Sequence, residues 1–312
     1  MKSKRAKSLQ RVGGKTMLEM ICKTAESIST KITLIVGFDK NSIINESKSF
    51  DFEISTCEQA SPIGTGDAVK CGINEVDDAD KVLVLYGDVP LIKKETLENL
   101  VSIDDKSLTI LSTKVDNPFG YGRVKKDNDG NVTQIIEEKD ASNADKKISE
   151  IFTGILCCNK VLLAEALKEI KNDNAAGEYY LTDIVSIINK KGFKIKTCVV
   201  PVEEVKGANT KKELSELEET FRKMKSEDLL EMGITISDPN RVDVRGKVSA
   251  GADCNIDVNV ILDGVVKLGD NVTIGPNTIL KDVEIGNNTS IEAFSHLVSS
   301  KVGKDCIIGP YA

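Results

Sequence analysis

The chain has 312 residues, of which 40% are hydrophobic, enough for a sizeable core and about two domains. A formal charge of −7 excludes a nucleic-acid binder, no run of about 18 apolar residues is present to insert in a membrane, and no apolar run follows the basic N-terminus as in a secretory signal. Eight scattered cysteines without a C-x-x-C pair and a single histidine, His296, argue against a zinc site and against Ser-His or Cys-His catalysis, and suit a reducing cytoplasm.

Six of the first fifteen residues are basic (Lys2, Lys4, Arg5, Lys7, Arg11, Lys15) with no acid among them, which suits a phosphate-facing loop. Met17, Ile21, Ala25 and Ile28 then recur at helical spacing. A short strand is expected at 32–36, a helix at 66–73, a buried strand at 82–86 and a helix around Leu97, Leu100 and Val101. Extended segments at 108–115 and 151–158 follow, then a helix at 161–170 and an alternating strand from Phe193 to Val199. This βα alternation predicts a mostly parallel sheet with helices on both faces. The pattern opens on a helix, without the strand and Gly-rich turn that usually begin a doubly wound sheet.

Leu214, Leu217, Phe221 and Met224 share one face of a predicted linker helix over 210–233, with Gly233 as its stop. Beyond Pro239 the period changes. Val244, Ala250, Ile256, Leu262, Leu268, Ile274 and Leu280 are spaced by six; the register slips by one to Ile285, Ile291 and Leu297, and again to Val302 and Ile308. A six-residue period fits neither a helix nor a flat strand. It predicts a parallel β-helix of hexapeptide repeats, about four coils over 238–312. The chain stops in mid-pattern, which is expected of a sequence cut at its ends.

Several segments could carry chemistry. Asp88, in Leu85-Tyr86-Gly87-Asp88-Val89-Pro90-Leu91, lies just past a predicted strand, where open α/β sheets bind ligands, and one carboxylate suffices for a nucleotide-bound Mg²⁺; Gly87-Asp88 equally reads as a turn. Gln59 and Ile63-Gly64-Thr65-Gly66 lead into a helix whose free N–H groups could meet a base or phosphate, or form an ordinary loop. Phe119-Gly120-Tyr121-Gly122-Arg123 could close over a sugar or be a hairpin connection. Glu137 could bond sugar hydroxyls or belong to a solvated charge cluster. Asn209 reads on its own as a helix N-cap. The tyrosines of Gly177-Glu178-Tyr179-Tyr180-Leu181-Thr182-Asp183 could anchor a helix. His296 reads as structural or exposed.

Taken in order, these segments, with Thr153-Gly154-Ile155 and the appended repeats, closely resemble the bacterial bifunctional N-acetylglucosamine-1-phosphate uridyltransferase / glucosamine-1-phosphate acetyltransferases over essentially the whole chain. The resemblance implies a Rossmann-like α/β nucleotidyltransferase domain (1–209), the linker helix (210–233) and a left-handed parallel β-helix (234–312). It implies a cytoplasmic enzyme of cell-wall and lipopolysaccharide precursor synthesis, trimeric through the β-helix. UTP and N-acetylglucosamine-1-phosphate would give UDP-N-acetylglucosamine and pyrophosphate. By similarity, Gln59, Gly64 and Thr65 would read the uracil, and Tyr86, Gly87 and Asp88 would line the nucleotide-sugar site. Asp88 and Asn209 would hold Mg²⁺, Gly122 and Glu137 would contact the sugar, and Lys7 would meet phosphate.

The sequence departs from the family in four places. Ala6 replaces a proline before Lys7, and Phe152 stands where a sugar-binding asparagine is usual. The family's first strand and its Gly-rich loop ending Gly-Thr-Arg-Met are not in this sequence, and its acetyl-transfer residues would lie beyond Ala312. Two alternatives therefore stand beside the uridyltransferase: an inactive chain that only binds nucleotide or trimerises, and a sugar-1-phosphate nucleotidyltransferase of different base or hexose.

Overall fold

The structure, a computed structural model, describes residues 1, 3–29, 31–76, 79–103 and 106–312. Lys2, counted above among the basic residues, lies outside the described residues. The chain forms two compact units: Met1–Gln10 with Thr16–Asn209, and Arg11–Lys15 with Thr210–Ala312.

In the first unit, local sequence signals set the elements. The Thr16 side chain accepts a 3.1 Å hydrogen bond from the Glu19 N–H and caps the helix Met17–Glu26. That helix buries Met17, Leu18, Ile21, Cys22 and Ala25 on one face. Asn159 likewise caps Lys160–Glu169, accepting from the N–H groups of Val161 and Leu162. The strands Thr33–Val36, Lys81–Val84, Leu108–Lys114, Glu150–Asn159 and Lys196–Val199 and the helices Thr65–Ile73 and Lys94–Ser102 lie where the hydrophobic spacing predicts them.

The strand directions differ from expectation. Glu150–Asn159 runs antiparallel to both Lys81–Val84 and Leu108–Lys114, and it also meets the hairpin formed by Arg123–Lys126 and Val132–Ile136. The pairing of Lys196–Val199 with Leu108–Lys114 is parallel, and Thr33–Val36 pairs in parallel with Ser55–Glu58 in a sheet of two strands. The main sheet is therefore mixed, not mostly parallel. Hydrophobic spacing reports which face of an element is buried and carries no information on which way it runs.

Helices do cover both faces. Along Glu150–Asn159, Phe152, Leu156 and Cys158 join one core, with Leu163, Leu167, Ile184 and Ile188. Ile155 and Cys157 point to the other, with Leu18, Ile21, Leu97 and Leu100. Burial pushes the Cys22 and Cys158 thiols up to about 12, so they behave as small apolar side chains.

In the second unit, Thr210 caps the helix Lys211–Glu231 by accepting from the Glu213 N–H at 3.0 Å. Leu217 and Leu229 are buried along it, and Gly233, at φ +86°, ends it. The Arg11–Lys15 segment is held against this helix at Gly13. Its N–H donates to both oxygens of Glu218, at 3.0 and 3.2 Å. Its φ is +56°, and a Cβ there would fall 2.1 Å from the Phe221 ring, so any other residue would strain the backbone and have to push that ring aside.

The repeats form a parallel β-helix. Val244, Ile256, Leu262, Leu268, Ile274, Leu280, Ile285, Ile291 and Leu297 are buried inside it, and Ala250, Val302 and Ile308 are half-buried. Its register explains the slips in the hexads. Val242–Ala250 pairs with Val260–Leu268 at a constant offset, whereas the next pairing shifts between Asp263 and Val266. The later coils are one residue shorter at that corner, where Asp282 accepts from the Val265 N–H at 2.9 Å. Two other corners take left-handed residues, among them Asn259, Asn277 and Phe294 at one and Asn271, Asn288 and Asp305 at the next. Asparagine and aspartate tolerate that conformation best, and they form ladders: Asn259 donates to Asn277 at 2.9 Å, and Asn288 to Asp305 at 2.9 Å. His296 is exposed on an outward face. Among the described residues no helix is long and apolar enough to cross a membrane.

Candidate active site

The first unit carries a cleft of about 710 Å³, lined in part by Lys7, Ser8, Thr33, Gly87, Asp88 and Asn209. Asp88 reaches it from the turn after Lys81–Val84, and Val89, Leu91 and Ile92 behind it are buried. Asn209 arrives from the other end of the unit, and the preceding residues bring it there. Ala208 is fully buried, and a Cβ at Gly207 would lie 2.9 Å from the Asp88 carbonyl oxygen, so only glycine lets the two segments approach. Asn209 is not the helix cap, a role that falls to Thr210. Its Oδ1 instead accepts a 2.7 Å hydrogen bond from the Lys7 ammonium, which also lies 3.6 Å from Asp88 Oδ2.

Asp88 and Asn209 thus aim two oxygen donors at one cationic centre. The Lys7 side chain is half exposed, and ion pairs of that kind stabilise a fold by about 1 kcal/mol at most, so stability does not account for the arrangement. Hard oxygen donors of this kind suit Mg²⁺, which needs only one or two protein ligands beside phosphate oxygens. Among the described residues no group of three or more His, Cys, Asp or Glu side chains is placed to hold a metal.

The loop before Lys7 is tied down by Asp39, which the sequence did not single out. Asp39 Oδ2 accepts from the Ala6 N–H at 3.1 Å, and Ala6, at the family's proline position, is buried. The bond from Ser42, together with the Ala6 amide and nearby Arg5, holds the Asp39 carboxyl below its usual range.

Gln59 and the Gly64-Thr65-Gly66 turn form a second group. Gln59 Nε2 donates to the Gly64 carbonyl at 3.1 Å and to Asp67 Oδ2 at 2.8 Å. Gly64 sits at φ +132°, and a Cβ there would lie 2.4 Å from the Tyr179 carbonyl oxygen. That carbonyl accepts from the Gly66 N–H at 2.8 Å, the Tyr179 N–H donates to the Ile63 carbonyl at 2.9 Å, and Thr65 Oγ1 accepts from the Leu181 N–H at 3.1 Å. The tyrosine-rich segment therefore buttresses the glycine turn as well as leading into its own helix. Thr65 is also bonded to the Tyr86 hydroxyl, and burial pushes Tyr86 up to about 12.

Tyr86 links this group to a third. Its ring packs on Gly154, where a Cβ would lie 2.7 Å from the ring, and it feels both Asp88 and Glu137 electrostatically. Glu137 Oε1 accepts from the Thr182 hydroxyl at 2.9 Å, and burial pushes this carboxyl upward. Gly122 is beside it: a Cβ there would meet Ile135 at 2.8 Å and both Glu137 oxygens at 3.6 Å. The Phe119–Arg123 stretch is a turn before the hairpin, and the buried Arg123 pairs with Glu138 at 2.5 Å. Phe152 is 6% exposed and offers the region only its backbone, donating to the Gly122 carbonyl at 2.8 Å.

The structure thus brings Lys7, Asp88 and Asn209 together, Gln59 beside Gly64, Thr65 beside Tyr86, and Gly122 beside Glu137. It adds Asp39, Asp67, Thr182 and Gly207. Of these, Thr182 and Gly207 have a sequence signal, one in the Tyr-Tyr-Leu-Thr-Asp motif and the other two residues before Asn209.

Two family models match the chain: a MobA-like NTP transferase domain over residues 1–135 and six bacterial transferase hexapeptide repeats over 266–299. The bifunctional protein GlmU of Azoarcus sp. is 40% identical over 315 residues, spanning all of this chain and 69% of its own length. That of Alkalilimnicola ehrlichii is 39% identical over 314 residues, spanning all of this chain and 67% of its own length. Among solved structures, a nucleoside-diphosphate-sugar pyrophosphorylase from Vibrio cholerae covers 70% of this chain and 93% of its own with a TM-score of 0.54 at 18% identity, a likeness of fold.

Proposed function

The chain belongs to the family of bifunctional GlmU proteins and is a sugar-phosphate nucleotidyltransferase, and from that premise we propose that it transfers the uridylyl group of UTP to N-acetylglucosamine-1-phosphate. A phosphate oxygen of the sugar phosphate attacks the α-phosphorus of UTP, the bond to the β,γ-phosphates breaks, and UDP-N-acetylglucosamine and pyrophosphate leave. The nucleophile is already ionised at neutral pH, so no general base is required, and catalysis rests on positioning and charge neutralisation.

The observation that carries this reading is the convergence of Lys7, Asp88 and Asn209 in the cleft. Asp88 and Asn209 would hold Mg²⁺, which supplies charge neutralisation to the phosphates when bound. Lys7 adds a second positive charge for the phosphate oxygens. Gln59, held against the rigid turn at Gly64 and Thr65, faces the uracil. Tyr86 and Gly87 line the nucleotide-sugar. Glu137, oriented by Thr182, accepts a sugar hydroxyl beside Gly122.

The site lies in residues 1–209, the β-helix supports a homotrimer, and we place the enzyme in the cytoplasm. The test is pyrophosphate release by the purified protein from UTP, N-acetylglucosamine-1-phosphate and Mg²⁺. No release with these substrates, or faster release with another nucleotide or hexose phosphate, overturns the reading.

A further inference from the structure

Gln59 follows the strand Ser55–Glu58, and its backbone N–H donates to the Val36 carbonyl at 2.8 Å. It therefore stands at the carboxyl ends of two parallel strands, the usual ligand edge of an open α/β sheet. A glutamine carboxamide has two faces of opposite character: an NH₂ that only donates and an oxygen that only accepts. Here both N–H groups are taken, one by the Gly64 carbonyl at 3.1 Å and one by the Asp67 carboxylate at 2.8 Å. Both partners are acceptors. Turning the amide over would set its oxygen against two others, one of them anionic, and would lose a charge-assisted hydrogen bond. The Gly64 carbonyl is itself fixed, because the backbone of Gly64 is wedged against Tyr179.

We infer that Asp67 is a positioning residue that locks the Gln59 amide, so that Gln59 presents its oxygen alone to the bound nucleotide and selects a pyrimidine with an N3–H, uracil or thymine, against cytosine. Uracil and thymine carry a donor at N3; cytosine carries a lone pair there, which opposes the Gln59 oxygen. The inference rests on Gln59 facing the base, as proposed above. Asp67 touches no substrate and acts only through Gln59.

Calorimetric titration of the full chain with UTP and with CTP, in the presence of Mg²⁺, tests this in the wild type, in Asp67→Asn and in Asp67→Ala. The wild type binds UTP about tenfold or more tighter than CTP, the value of one hydrogen bond made to uracil and opposed by cytosine. Asp67→Asn lowers that ratio about tenfold, because its amide can donate to a flipped Gln59, and Asp67→Ala lowers it less, because the Gly64 carbonyl still opposes the flip. Asp67→Asn keeps the shape of the side chain and so remains informative if Asp67→Ala is poorly folded. A merely structural role for Asp67 would weaken both nucleotides alike and leave the ratio unchanged. That result, equal affinities in the wild type, or no nucleotide binding at all overturns the inference. Selective UTP binding without uridylyl transfer would sink the proposed reaction and leave this inference standing.

Discussion

Lys7 and Asn209, 202 positions apart, meet in a 2.7 Å hydrogen bond, and Asp88 lies 3.6 Å from the same ammonium. The two ends of the α/β unit thus close on one point, and the carboxylate after Val84 faces that point.

Asp88→Ala should abolish turnover, by about a thousandfold or more, while the melting temperature stays within a few degrees of wild type. Chelation of divalent cations should have the same effect on the wild type. Near-normal rates from Asp88→Ala in steady-state pyrophosphate release would remove Asp88 from the metal site.

Asp39→Gly separates positioning from stability. Asp39 has φ +57°, a conformation that costs a non-glycine residue about 1 kcal/mol, so glycine relieves strain while the tie to Ala6 is lost. Stability should change by less than about 1 kcal/mol in urea unfolding. Turnover should fall about tenfold as Lys7 loses its fixed approach, and Lys7 should become more reactive towards an acylating reagent read by mass spectrometry. Unchanged Lys7 labelling would refute the link.

Asp183 gives a pH signature. Burial, with Glu137, Asp140 and Asp173 adding repulsion, raises its carboxyl from 3.8 to about 6. The folded state therefore holds this proton more tightly than the unfolded chain, so its contribution favours folding at low pH and fades as pH rises from 3.8 to 6. Asp183→Asn should raise stability at pH 7 by about 1 kcal/mol, after discounting for partial exposure. It should have no such effect below pH 3.8. Thermal melts across this range check it; a constant gain at all pH values would contradict the assignment.

Gly64→Ala should be costly twice over, through φ +132° and through the Tyr179 carbonyl 2.4 Å from the new Cβ. A loss of about 3 kcal/mol is expected, with UTP affinity falling in parallel because Gln59 loses its fixed acceptor. A Gly64→Ala protein that melts and binds UTP like wild type would show that the turn is not rigid.

Much of this was legible in the residues. Hexad spacing located the inward side chains of the β-helix from Val244 to Leu297, because burial on a strict period leaves a strict pattern. The short motifs contained Asp88, Gln59, Gly64, Glu137 and Asn209. What escaped was whatever depends on one partner far away in sequence. The direction of Glu150–Asn159 is set by a hairpin that reverses the chain, and no periodicity records it. Asp39 and Asp67 looked like any surface acid, since their meaning lies in Ala6 and Gln59. Asn209 looked like an N-cap, and only the Thr210–Glu213 bond shows that the cap is one residue later.

Gly13 bears on how such a protein could be assembled or taken apart. Because Arg11–Lys15 belongs with Thr210–Ala312, the polypeptide crosses between the two units at three places, after Gln10, Lys15 and Asn209. A fragment ending at Asn209 would strand Gly13 without Glu218 and Phe221, and an exchange of the repeat region between relatives would have to carry matching residues at 13, 218 and 221. Recombination after Asn209 is therefore constrained by five residues near the start of the chain as much as by the linker itself.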